Sequence, residues 1–174
     1  RTLDLDPVDI ARGLAAVDGV PGRLERIADP AGRLVVVDYA HSPDALAHAL
    51  ATMRELCAGR LTVVFGCGGD RDRGKRPQMG AIAAEHADRV VLTSDNPRSE
   101  DPEVILDDIA AGMATPPWAR LADRAEAIRH AIAEAAAGDA VLIAGKGHET
   151  TQQIGSRKLP FDDRVQARAA LEAP

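Results

Sequence analysis

The apolar positions of this chain follow two alternating periods. Leu34-Val35-Val36-Val37, Leu61-Thr62-Val63-Val64-Phe65, Val90-Val91-Leu92 and Val141-Leu142-Ile143-Ala144 are short runs with almost no polar interruption. Continuous β-branched runs of this length predict strands buried on both faces. Between them, apolar residues recur every three or four positions: Leu46, Leu50, Met53 and Cys57; then Met79, Ile82 and Ala83; then Ile128 and Ile132. That spacing predicts helices that bury one face. Ser42-Pro43-Asp44 reads as a helix start, with serine as cap, proline at the first helical position and an acid in the first turn, and Gly59 closes that helix. Further helices are expected over residues 102–113 and from a cap at Asp162, with a short strand at 119–122. Residues 145–160 read as irregular or as a hairpin. At the other end, Ile10, Leu14 and Val17 predict a helix over residues 6–17 with Gly19 as its stop, and Pro21-Gly22 breaks the chain.

Repeated β-α-β units with short connections predict an α/β fold, a Rossmann-like, mostly parallel sheet with helices on both faces. No GxGxxG dinucleotide fingerprint is present. In such a sheet, ligands gather beyond the carboxyl ends of the strands. Four polar loops fall there: DYAHSPD (38–44), GCGGDRDRGKRP (66–77), TSDNPRSED (93–101) and AGKGHE (144–149). Pro21-Gly22 divides the chain into a leading segment, 1–22, and a main domain, 23–174. The first residue is Arg rather than Met, and the opening reads as a chain already in progress.

Composition narrows the function classes. The 174 residues carry a net charge of −6 and 2% aromatics, which argues against coating or base-stacking on nucleic acid. No apolar stretch approaches a membrane span, and no signal-peptide pattern opens the chain. Cys57 and Cys67 have neither zinc nor disulfide-framework spacing, so both are expected to be buried thiols in a reducing cytoplasm. Basic residues concentrate at 71–76, which keeps a local anion site open.

Each loop supports two readings. Asp38 and His41 either bond loop backbone or touch a nucleotide; two candidate ligands are thin evidence for a metal. Gly66, Gly68 and Gly69 either let a ligand approach the backbone or belong to a solvated, salt-bridged loop. GxxxxGK[ST] fails after Lys75, so this is no Walker loop. Asp95, Asn96 and Pro97 suit a turn, but a turn does not require Arg98, whose guanidinium can bind a carboxylate bidentately. Gly145 permits close contact and Glu149 can accept from an ammonium. Together these groups would suit a zwitterion.

In this order, VPGRLE (20–25), VVVDYAHSPDAL (35–46), VVFGCGGDRDRGKRPQMG (63–80), TSDNPRSEDP (93–102), DRAEAIRHAI (123–132) and AGKGHE (144–149) resemble the Mur ligase family. The likeness covers nearly everything from Val20 onward and rests on six motifs in order. Within the family the match is to ligases that add the third residue of the peptidoglycan stem peptide. The resemblance implies an ATP-dependent amide synthesis through an acyl phosphate, with UDP-MurNAc-dipeptide and meso-diaminopimelate as substrates and Mg2+ held mainly by a central domain. Residues 1–22 resemble the end of that central domain and residues 23–174 the C-terminal, amino-acid-admitting domain. Arg23, Asp38 and His41 then fall on the ATP side. Arg71, Asp95, Asn96, Pro97, Arg98, Gly145 and Glu149 fall on the diaminopimelate side, and no metal ligand or catalytic residue is implied in this chain. Without a phosphate loop the chain alone is expected not to turn over. The alternatives are a lysine-adding ligase of the same family and a stand-alone amino-acid-binding module.

Overall fold

The computed structural model describes residues 6–16 and 19–173, with backbone alone at residues 14 and 15. The apolar runs form the middle of one sheet. β2 (Leu34–Asp38), β3 (Leu61–Phe65), β4 (Arg89–Leu92) and β6 (Ala140–Ala144) are parallel, in the order β2-β6-β3-β4. β1 (Glu25–Ile27) runs antiparallel along β2 at one edge, and β5 (Ala119–Arg120) runs parallel along β4 at the other. Successive strand residues feed opposite faces. Val36, Val63, Phe65, Leu92 and Leu142 pack with α2 (Pro43–Leu56), α3 (Lys75–His86) and α4 (Pro102–Ala110). Val35, Val37, Val64, Val91 and Ile143 pack with α5 (Arg124–Ala133) and α6 (Asp163–Glu172). Each fully buried Val, Leu or Ile is worth about 1.5–3 kcal/mol. A sheet buried on both sides therefore carries the stability and leaves the strand-end loops free to be polar.

From β2 the chain passes through α2 to β3, skips one position, and continues to β4 and β5. It then returns through α5 to insert β6 between β2 and β3. This reversal opens a crevice at the carboxyl ends of β2, β6 and β3, the place where such sheets hold ligands. The caps at Ser42 and Asp162 follow the sequence, and Asp101 and Asp123 add two more. Ser42 Oγ accepts from Ala45 N, Asp101 from Glu103 N, Asp123 from Glu126 N and Asp162 from Arg164 N.

Three details differ from the sequence expectations, and the hairpin decides between two readings left open there. The first helix, α1, spans Pro7–Ala15 with Val8 and Ile10 exposed; Val17 and the Leu14 side chain lie outside the described residues. α4 ends at Ala110, and tight turns carry residues 111–113. Residues 151–160 form a hairpin, β7 (Thr151–Ile154) and β8 (Arg157–Pro160), separate from the main sheet. Cys67 is buried as expected, and burial pushes its thiol up to about 12, whereas Cys57 is only partly covered. No helix among the described residues is long and apolar enough to cross a membrane.

Candidate functional site

The four strand-end loops enclose one cavity of about 480 Å³. Arg71, Asp95, Asn96, Arg98, Gly145 and Glu149 all line it, as does His41. Pro97 does not. Its carbonyl accepts from Glu100 N and closes the turn. The glycines after β3 serve chiefly to let two loops touch. A Cβ on Gly66 would lie 1.9 Å from Thr93 O, and one on Gly69 would lie 1.9 Å from Pro97 O. Of the three, Gly66 and Gly68 also form cavity wall.

Two acids of the cavity wall are Asp95 and Glu149. Asp95 is 9% exposed, and neither of its carboxylate oxygens has a hydrogen-bond partner among the described residues. Burial pushes its pKa up, and the nearby charges of Arg124 and Lys146 pull it back. Glu149 is better supplied. Its Oε2 accepts from Lys146 Nζ at 2.9 Å and from Asn96 Nδ2 at 2.9 Å. Burial works against its ionisation, but the bonds from Lys146 and Asn96 outweigh it and hold the carboxyl below its ordinary range. The ammonium foreseen for Glu149 is thus already present within the chain, on one oxygen.

The wall also carries cations, Arg98, Arg71 and Lys75, together with a further acid, Asp72. Arg98 sits at φ +52°, an uncommon left-handed position for a side chain with a Cβ. Its backbone is fixed on both sides by the hairpin: Arg98 N donates to Gln153 O at 3.1 Å, and Gly155 N donates to Arg98 O at 2.6 Å. Arg98 Nη1 donates to Gly69 O at 2.7 Å, while Nη2 and Nε have no protein partner among the described residues. A strained residue held by neighbours at a cavity wall is a frequent mark of function. Lys75 Nζ donates to His41 O at 2.7 Å, tying the first two loops together.

Arg23, Asp38 and His41 lie toward the β2 side. The Arg23 guanidinium stacks 4.6 Å over the Tyr39 ring, and His41 packs against the edge of the same ring. Asp38 is occupied by backbone: Oδ2 accepts from Leu24 N and Oδ1 from Ala40 N, each at 2.8 Å. It binds the Arg23 segment to the end of β2. His41 Nδ1 donates to Tyr39 O at 2.9 Å, which leaves Nε2 as the free edge. Among the described residues, no group of three or more His, Cys, Asp or Glu is placed to hold a metal ion.

Sequence reasoning missed the groups beneath the cavity. Arg124, fully buried at the start of α5, bonds both oxygens of Asp163 at 2.7 and 2.8 Å. Its other donors reach Ser94 O at 3.2 Å and Ala144 O at 3.0 Å, one residue before Asp95 and Gly145. Arg76, also at zero exposure, joins Glu100 and Asp108, so the loops after β3 and β4 share one ion-pair network. Its bonds hold Glu100 at about 2. Lys146 is the third buried cation. Nothing in the local pattern separates these three from solvated lysines and arginines.

A mostly parallel sheet with a charged cavity at its switch point defines an α/β domain built to admit a polar ligand. Residues 22–147 match the family described as Mur ligase, glutamate ligase domain. The chain belongs to the Mur ligase family. A UDP-N-acetylmuramoyl-L-alanyl-D-glutamate–2,6-diaminopimelate ligase of Chlorobaculum tepidum is 57% identical over 165 residues, 93% of this chain and 32% of the relative. The solved structure of a ligase of the same name superposes with a TM-score of 0.83 at 46% identity, covering 94% of this chain and 36% of that one. E. coli FolC in complex with ADP superposes with a TM-score of 0.63 at 26% identity, covering 84% and 33%. The chain spans about a third of the length of the curated relatives it matches.

Proposed function

We propose that this chain is the C-terminal, amino-acid-admitting domain of a cytoplasmic ATP-dependent ligase. The whole enzyme joins meso-diaminopimelate to UDP-MurNAc-L-Ala-D-Glu. Residues 1–22 form the end of the preceding domain and the hinge. The observation that carries the reading is one cavity wall that holds both carboxylates, Asp95 and Glu149, and guanidinium groups, Arg98 and Arg71. Diaminopimelate has an ammonium and a carboxylate at each end, and this arrangement can pair such a molecule. Arg98 takes the distal carboxylate on its free Nη2 and Nε, with Asn96 and Pro97 shaping the turn that aims it. Asp95 and the open oxygen of Glu149 take an ammonium, Gly145 leaves room beside Asp95, and Arg71 guards the cavity mouth. ATP phosphorylates the dipeptide carboxylate, and the amine attacks the resulting acyl phosphate. Arg23 and His41 meet the nucleotide, and Asp38 holds them in place. No magnesium ligand is assigned to this domain.

The discriminating group is Arg98, because L-lysine lacks only the carboxylate that it would bind. One charge-assisted bond of about 1.5–3 kcal/mol corresponds to roughly 10- to 100-fold in affinity. In the full-length ligase, Arg98→Ala should raise the KM for diaminopimelate by that factor and leave the KM for ATP unchanged. Equal use of lysine and diaminopimelate by the unmutated enzyme, or a parallel rise in the KM for ATP, would refute the assignment.

A further inference from the structure

We propose that Lys146 is the positioning residue of this pocket. Its ammonium fixes which way the Asn96 amide faces, and it presents Glu149 with one oxygen occupied and the other open to the ligand. The proposal deepens the reading above and depends on it only for the ligand's identity. Lys146 has zero exposure and contributes no atom to the cavity wall, so it acts through its neighbours. Its three N–H bonds meet three acceptors: Asn96 Oδ1 at 3.2 Å, Glu149 Oε2 at 2.9 Å and Thr151 O at 2.8 Å. Each of its three donors is thereby paired, one of them with a carboxylate.

The direction of the Asn96 amide follows from this charge. An ammonium only donates, so it must face Oδ1. Gln153 N, a second donor, also bonds Oδ1 at 2.8 Å. Nδ2 is thereby turned to Glu149 Oε2 at 2.9 Å. A flipped amide would set N–H against N–H twice, at Lys146 and Gln153, and oxygen against oxygen at Glu149. With two donors on Oε2, Oε1 of Glu149 has no partner among the described residues, and Glu149 lines the cavity. The charged groups acting on Glu149 are the cations Lys146 and Arg98 and, as a like charge, Asp95. A single buried cation thus prepares both the amide and the acid that the ligand meets.

NMR titration of the Glu149 carboxyl in the 174-residue chain tests this without a ligand. Glu149 should titrate below the ordinary glutamate value of about 4.3. Lys146→Met should move it upward and shift the Asn96 side-chain amide signals. Titration at or above the ordinary value in the unmutated chain overturns the proposal even if the variant fails to fold, as do unmoved Glu149 and Asn96 signals in a folded variant. In the full-length ligase, Lys146→Met should raise the KM for diaminopimelate roughly 10- to 100-fold with the KM for ATP unchanged, and an equal rise for ATP counts against it. If another amino acid proves to be the substrate, the ligand-free measurements still decide the role of Lys146.

Discussion

Replacing Asp163 by Asn separates a buried ion pair from simple packing. Asp163 and Arg124 have no exposed side-chain surface, and the two bonds between them are 2.7 and 2.8 Å. Asn keeps the shape and one acceptor but removes the counter-charge, leaving a guanidinium in the interior. Breaking a buried pair from one side costs about 3–5 kcal/mol. The weaker helix-dipole contribution of an acid in the first turn of α6, about 0.3–1 kcal/mol, cannot account for a loss of that size. For a domain of this length, such a loss lowers Tm by roughly 6–20 °C. Arg124→Met should cost at least as much, because Ser94 O and Ala144 O then lose their donors. The double variant, Arg124→Met with Asp163→Asn, should resemble Arg124→Met alone. Urea denaturation of the wild type and the three variants forms a double-mutant cycle. A loss below about 1 kcal/mol in Asp163→Asn, or additive single effects, would refute the reasoning.

Two further outcomes follow from the same geometry. Glu100, held at about 2 by Arg76 against an ordinary 4.5, and Asp29, held at about 2 by Arg33 against 3.8, both have folded values below their unfolded ones. Their stabilisation is complete above the unfolded values and is lost as pH falls toward 2, while Asp95, shifted upward by burial, works in the opposite sense. Denaturant midpoints should therefore decline between about pH 4.5 and 2, and a midpoint unchanged across that window would contradict the pairings. Gly66→Ala should lose roughly 1–3 kcal/mol and deform the cavity, because its Cβ would meet Thr93 O at 1.9 Å. Gly13→Ala in α1, with open space around it, should be neutral or gain up to about 1 kcal/mol; similar melting temperatures for the two would refute the close-approach account.

The sheet was legible because strands buried on both faces leave an unbroken apolar run, as at residues 34–37 and 141–144. The caps at Ser42 and Asp162 were legible because a cap is a local contact. β1 was not, since only Ile27 of its three residues is apolar and its place comes from pairing with β2. The same limit applies in the site. Which loops gather could be read from strand ends, but one partner each of Glu149, Asp38 and Arg124 comes from a different segment of the chain. Asn96 is 53 residues from Glu149, and Asp163 is 39 from Arg124. Glycine is ambiguous for a related reason. The loop after β3 has the composition of a ligand cradle, and much of that composition is spent on passing two backbones against each other.

Under the proposed function, the four residues Asp95 to Arg98 make a turn and a ligand site one object. Asp95 faces inward over Arg124 and Lys146, Asn96 reaches to Glu149, and the Pro97 carbonyl closes the turn. Arg98, left-handed and fixed by the hairpin, points its guanidinium back across Gly68 and Gly69. One of its terminal nitrogens is already spent on Gly69 O, so what remains for an incoming carboxylate is the Nη2 and Nε edge. That edge matches a carboxylate with two parallel donors. Lysine at this position would place its single ammonium on the same carbonyl and have no second, pre-aligned donor to offer. The demand for arginine therefore comes from the loop as much as from the ligand. The loop consumes half of the side chain to aim the other half.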